Sequence, residues 1–330
     1  MSADLPIVAL ACGDPAGIGP ELCMKAALSD AVTGISRPLI FGDPKVLAAH
    51  ASSCGIEIDL DPYDTVGEVD WDKPGVKQIS LDLFGNKDLK IGEVNGDNGK
   101  AAVDCAAATI RAALDKDVDA VVSAPQTETA VHMAGIEFDG YPSFVARQTG
   151  LAPEDGFLMV CFDKFRIAHC TLHSSVRQSL DLITEDRVKH VIGSVHDTLV
   201  RIGIGKPRIM VAGLNPHASE GGLFGSEETE IIEPAIKAKQ AAGIDVEGPG
   251  AADLILHMDG YDAFIVMLHD QGHIPAKLLA RHSTAGMSIG TPILFSSVAH
   301  GSALDIAGQG KATPDAMIEA VKRLTGNANY

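Results

Sequence analysis

Short apolar or β-branched runs alternate along this chain with longer amphipathic stretches, and that alternation restricts the fold more than any other feature of the sequence. IVALAC (7–12) precedes a helical pattern from about Glu21, and RPLIFGD (37–43) precedes one from about Pro44. Residues 98–116 then read as helix, DAVVSAP (119–125) as strand, and FLMVC (157–161) and RIAHCTL (166–172) as two further strands. Residues 185–202 read as helix, RIMVAG (208–213) as strand, 226–242 as helix and AFIVML (263–268) as strand. Repetition of strand then helix predicts an α/β architecture around a largely parallel sheet. No fixed-period repeat or low-complexity tract interrupts the pattern.

At 330 residues the chain exceeds the usual single compact domain, so two lobes are expected. Its 26 Lys and Arg against 44 Asp and Glu give a net charge of −18. Such a surface repels phosphate backbones and anionic lipid, which argues against nucleic-acid or membrane-surface binding and favours a small-molecule substrate. The six cysteines (Cys12, Cys23, Cys54, Cys105, Cys161 and Cys170) form no C-x-x-C pair and mostly sit in apolar runs, so they read as buried thiols. The opening MSADLPIVALACGDP has no basic leader, and its apolar run is too short to span a bilayer. A cytoplasmic location is the expectation.

Several strands end in polar, glycine-rich turns: GDPAGIGPE (13–21), GLNPHASEGG (213–222) and LHDQGHIP (268–275). In open parallel sheets ligands bind where such turns gather, at the carboxyl ends of strands. Three of the twelve histidines, His173, His217 and His269, lie just after predicted strands. Neutral imidazoles from three strands could converge on one divalent ion and leave positions open for substrate oxygens. His50, His132, His190, His196, His257 and His282 read instead as structural or surface residues. GDPAGIGPE reads equally as a phosphate cradle or as a tight strand-to-helix turn with Pro20 near the first helical position. Asp253, Asp262 and Asp270 read as caps or solvated carboxylates. Ser174, Ser175 and Ser219 lack a G-x-S-x-G elbow, which argues against serine hydrolase chemistry.

Taken together, GDPAGIGPE, AGIEFDG (134–140), NPHASEGGLFGSEE (215–228), MLHDQGHIPAKLL (267–279) and SSVAHGSALDIAGQGKA (296–312) resemble the 4-hydroxythreonine-4-phosphate dehydrogenase (PdxA) family, in order and across nearly the whole chain. The last block is also similar to the loop that holds the adenosine part of the cofactor in isopropylmalate and isocitrate dehydrogenases. The resemblance implies two α/β/α lobes, 1–135 with 275–330 and 136–274, around an active-site cleft. It also implies a homodimer with one divalent metal held by histidines of both subunits. By motif position the ligands would be His173, His217 and His269, the substrate lysine Lys277, and a neighbouring acid Asp253. Lys277 would bind substrate or transfer a proton, and Asp253 would orient it or the metal's surroundings. His300, Gly301, Ala303 and Asp305 would contact NAD, with NADP left open.

Departures from the family pattern bear on the substrate. The usual G-H-T-E-F segment reads Gly140-Tyr141-Pro142-Ser143-Phe144, the substrate Asn falls on Gly286, and the substrate Arg falls on Phe295. Phe cannot clamp a phosphate dianion as an Arg fork does. This replacement pattern resembles the terephthalate cis-dihydrodiol dehydrogenase branch, whose substrates belong to aromatic catabolism. Tyr141, Pro142 and Phe295 would then line a pocket for a carbocyclic ring. The expected reaction is NAD-dependent oxidation of a 3-hydroxy acid followed by decarboxylation, with zinc, cobalt, iron, magnesium or manganese as Lewis acid. Oxidation of the phosphorylated threonine derivative is the alternative, and a non-catalytic metabolite-binding protein on the same scaffold is a third reading.

Overall fold

The computed structural model describes residues 5–85, 87–280 and 284–328; His282 lies outside them. In chain order the strands are β1 (Ile7–Ala11), β2 (Arg37–Gly42), β3 (Leu60–Tyr63), β4 (Val76–Ser80), β5 (Ala120–Ser123) and β6 (Phe157–Phe162). There follow β7 (Phe165–His169), β8 (Arg208–Ala212), β9 (Asp245–Gly250), β10 (Ala263–Val266), β11 (Ala285–Ile289) and β12 (Phe295–Val298). They join one sheet in the order β3-β4-β2-β1-β5-β12-β11-β6-β7-β10-β8-β9.

The apolar runs form the central strands because the sheet is covered on both faces, and β1, β5 and β10 are almost wholly buried. Leu10 of β1 lies opposite Ile40 of β2 on one side and Val122 of β5 on the other, both in parallel register. β2, β4 and β3 continue in parallel, as does β12 beside β5. The sense then changes: β12 to β11, β11 to β6 and β6 to β7 are antiparallel. From β7 through β10 and β8 to β9 the sheet is parallel again. Two parallel blocks of opposite sense therefore flank an antiparallel centre, and the largely parallel sheet expected from the sequence is present. The strands of 1–135 and 275–330 are contiguous in this order, and so are those of 136–274.

Helices begin where the sequence supplies caps. Asn95 Oδ1 accepts the N–H of Asn98 at the start of Gly96–Leu114, and Thr184 caps Glu185–Arg201 through the N–H of Arg187. Asp43 caps Pro44–Cys54 and also accepts from the N–H groups of Leu83 and Phe84, which fastens a distant loop to the helix start. The stretch read as one helix from Ser226 opens instead as a π-turn, Glu228–Ile232, before Glu233–Ala241. None of the described helices is long and apolar enough to cross a membrane. Five cysteines are buried, Cys54 is half-buried, and all six are free thiols.

Candidate active site

The first glycine-rich turn is built for backbone contact. A Cβ on Gly17 would lie 2.7 Å from Ser302, and one on Gly19 only 2.0 Å from the Cys12 carbonyl, so both positions require glycine. Ile18 N–H donates to the Ser302 carbonyl at 2.9 Å. The buried Glu21 accepts from the N–H of Ala312 at 3.0 Å and from Lys25 Nζ at 2.6 Å, while that ammonium also donates to the carbonyls of Gly310 and Ala312. The blocks 13–21 and 296–312 are thus locked together. Asp14, buried and accepting from Ala16 N–H and Thr127 Oγ1, fixes the turn against the loop after β5. Burial raises the Asp14 carboxyl above its usual range, against the lowering effect of the Thr127 and Ala16 hydrogen bonds.

A cavity of about 720 Å³ lies over β6 and β11, bordered by loops at the carboxyl ends of β5, β7, β10 and β12. Its apolar lining includes Phe138, Tyr141, Leu158 and Val160, and its polar lining includes His173, His269, His273 and Lys277. Pro142, Gly286, His300 and Gly301 also line it. Gly286 sits within β11, where an added Cβ would stand 3.2 Å from Leu158 Cδ1, so a larger residue would fill the cavity floor.

Local hydrogen bonds aim the histidines. His173 and His269 stand with ring centroids 6.1 Å apart. His173 Nδ1 meets the Asp139 carbonyl at 3.4 Å, and His269 Nδ1 meets Asp270 Oδ1 at 2.7 Å. An imidazole whose Nδ1–H donates to an oxygen keeps its Nε2 lone pair for a metal. Metal–nitrogen bonds of about 2.1 Å on each side make this ring spacing one that a single ion can bridge, so the pair fits a divalent ion. His217 follows the same pattern, with Nδ1 3.4 Å from Glu220 Oε2, but it does not line the cavity; its ring packs near Phe224. Among the described residues of one chain no group of three side chains forms a complete metal site.

The loop carrying His217 is strained: His217, Ala218, Ser219 and Glu220 all have positive φ, between 45° and 63°. Such a conformation costs L-residues about 1–2 kcal/mol each, and strain of this kind gathers at functional positions. The buried Glu228 holds the loop's start by accepting from the N–H groups of Leu214 and Asn215. Burial opposes its ionisation, yet the Asn215 and Leu214 hydrogen bonds hold the carboxyl below its usual value.

Other expected site residues lie elsewhere. Phe295 is fully buried on β12, its ring 5.1 Å from that of Tyr141, so it supports the cavity wall from behind and does not form it. Tyr141 itself is pinned by its hydroxyl, which pairs with Ser123 Oγ at 2.5 Å and donates to the Ala124 carbonyl at 3.2 Å. Asp253 is exposed after β9 and does not line the cavity, and Ala303 and Asp305 lie in the turn beyond Gly301.

Sequence reasoning missed His169 and His273. His273 lines the cavity and His169 is buried behind it, with His273 Nδ1 3.1 Å from His169 Nε2. Burial, then the neighbouring imidazoles, holds His169 down to about 3 and His273 to about 4, so both are neutral. The available signal was the H-x-x-x-H spacing, which occurs in both His169–His173 and His269–His273.

The family model described as pyridoxal phosphate biosynthetic protein PdxA matches residues 34–324. A 1,2-dihydroxy-3,5-cyclohexadiene-1,4-dicarboxylate dehydrogenase from Comamonas sp is 39% identical, covering 96% of each chain. A D-threonate 4-phosphate dehydrogenase from Cupriavidus necator is 36% identical over 98% of this chain and 97% of its own. The crystal structure of a 4-hydroxythreonine-4-phosphate dehydrogenase from Burkholderia phymatum superposes with a TM-score of 0.87 at 33% identity, covering 98% of both chains. With the family model matching residues 34–324 of this chain and relatives this similar end to end, the chain belongs to the PdxA family.

Proposed function

We propose that the protein is a metal-requiring, NAD-dependent dehydrogenase that oxidises a 3-hydroxy acid with loss of carbon dioxide. Its substrate is an unphosphorylated carboxylated diol of the terephthalate cis-dihydrodiol type. The observation that carries this reading is the cavity's lining, an aromatic and aliphatic wall together with imidazoles and one lysine. The wall suits a carbocycle, and no arginine lines the cavity among the described residues to grip a phosphate dianion.

His173 and His269 of one subunit, with His217 of a second, would hold the ion, which would supply Lewis acidity at the substrate's hydroxyl oxygen, both as that oxygen becomes a carbonyl and as the neighbouring carboxylate leaves as carbon dioxide. An interface fits the exposed apolar side chains on the helix that His269 opens, Ile274, Leu278 and Leu279, and those near His217, Leu223 and Phe224. The nicotinamide supplies the hydride acceptor, with His300, Gly301, Ala303 and Asp305 forming the loop that receives the nucleotide. Lys277 binds a substrate carboxylate or takes the hydroxyl proton at Nζ. Tyr141 and Phe138, edge to face at 5.6 Å, exclude water from one face of the ring. Asp253, on its exposed turn, would act on the site of the second subunit.

The structural likeness to the Burkholderia phymatum enzyme favours a second reading, oxidation of 4-hydroxythreonine 4-phosphate. The test is an NADH-forming assay of the purified protein with each substrate, each of the two nicotinamide nucleotides and an added divalent metal. Turnover of the dihydrodiol with carbon dioxide release supports the proposal. Turnover of the phosphorylated substrate alone overturns it.

A further inference from the structure

A buried chain of hydrogen bonds runs from β6 to the cavity. His169 Nδ1 lies 3.3 Å from the Leu158 carbonyl, which can only accept, so Nδ1 carries the proton. In the neutral ring Nε2 is then an acceptor. It faces His273 Nδ1 at 3.1 Å, and that nitrogen must donate; it also lies 3.3 Å from the His269 carbonyl, a second acceptor. His273 is therefore the Nδ1–H tautomer, and its remaining nitrogen, Nε2, offers a lone pair on a ring that lines the cavity. Each step follows from which atoms can donate.

Gly272 shows that the relay is built into the backbone. A Cβ there would stand 2.3 Å from His169 Nε2 and 2.9 Å from its Cε1, so only glycine lets the imidazole reach His273. Glycine is otherwise less favourable than alanine inside a helix. His269 stacks on His273 face to face, with centroids 3.9 Å apart and planes 5° apart, which holds the second ring in place.

We propose that His273 Nε2 accepts a hydrogen bond from a hydroxyl of the bound substrate, and that His169 is the positioning residue that fixes the tautomer required. The choice of a hydroxyl rests on the diol reading above; the tautomer relay does not. In a diol the second hydroxyl would be read here, beside Lys277 on the same helix.

Long-range ¹⁵N correlation spectra of the full-length, zinc-loaded protein labelled at histidine test the relay without any substrate, with His273→Gln assigning the signal. The expected result is a protonated Nδ1 and an unprotonated Nε2 on His273, with the Nδ1–H population lowered in His169→Leu and in Gly272→Ala, where only the His269 carbonyl still accepts from Nδ1. A protonated Nε2 in the unaltered protein, or a His169→Leu spectrum with the tautomer unchanged, overturns the proposal. In kinetics with the dihydrodiol, His169→Leu and His273→Leu should each raise its KM about tenfold, the value of one neutral hydrogen bond. The KM for NAD and the zinc content should be unchanged, and His273→Gln, which keeps an acceptor, should recover most of the loss. Loss of zinc from His273→Gln would make His273 a metal ligand and overturn the assignment. If the unaltered protein turns over no dihydrodiol, the diol reading fails while the spectra still decide the relay.

Discussion

His173 and His269 face each other with ring centroids 6.1 Å apart, although one follows β7 and the other opens the helix after β10. Their Nδ1 atoms are held by Asp139 and Asp270, which leaves both Nε2 atoms for a shared ion. Replacing either by alanine removes half of what one subunit contributes. His173→Ala and His269→Ala should each lose bound metal, as read by elemental analysis after gel filtration, while circular dichroism is unchanged.

Lys277 lines the cavity on the same helix as His269, two turns further on. Lys277→Met should lower kcat/KM for the dihydrodiol by about 100-fold or more, the range of a lost proton-transfer or carboxylate contact. Metal content should stay at the level of the unaltered protein. Retained turnover would remove Lys277 from the site.

Glu21 joins two sequence blocks that lie almost a chain length apart, through the N–H of Ala312 and through Lys25. Glu21→Ala leaves the Ala312 N–H and the Lys25 ammonium with fewer partners and should cost about 1–3 kcal/mol in denaturant unfolding. Because the same block carries His300 and Asp305, the KM for NAD should rise several-fold while the KM for the diol changes little. Equal changes in both would mean that Glu21 acts on the whole fold.

Phe295 packs behind Tyr141 with no exposed surface. Phe295→Ala should cost about 3–5 kcal/mol, the range for emptying a buried aromatic site. An unchanged unfolding midpoint would contradict the packing described.

The helices after β1, β2, β7 and β8 and before β5, the buried thiols and the sheet type were legible because they follow from local periodicity and apolar runs, whereas 268–275, read as a turn, opens the helix His269–Leu279. β3, β4, β9, β11 and β12 were not read as strands: DVEGPG of β9, for instance, is polar and broken by proline, and AGMSI of β11 carries few β-branched residues. All five are recruited by neighbouring strands. In the site, single residues at strand ends were readable, whereas the His169–His273 contact depends on Gly272, whose role is visible only once helix and strand are side by side. Phe295, expected in the cavity wall, packs behind it, because strand facing cannot be counted without a register. His217 was singled out by its place just after a strand and then by the family resemblance; the left-handed φ values of its loop are a property of the fold alone.

The thiols provide a test of burial. Burial pushes Cys170 up to about 12 and raises Cys161 and Cys105 as well. Cys54 is the half-buried one, also raised by burial and by its contact with Glu21 Oε2. At pH 8 a thiol reagent should therefore titrate slowly one cysteine per native chain, and all six in guanidinium. Rapid reaction of several thiols in the native protein would contradict the core.

The most direct measurement is of metal-stripped protein, assayed with NAD and the dihydrodiol before and after one divalent ion is restored, with the metal-to-chain ratio measured in parallel. Stripping should abolish turnover, restoration should recover it with one ion per chain, and His217→Ala should block recovery. Full activity in the stripped protein, or undiminished metal uptake and recovery in His217→Ala, would contradict the account.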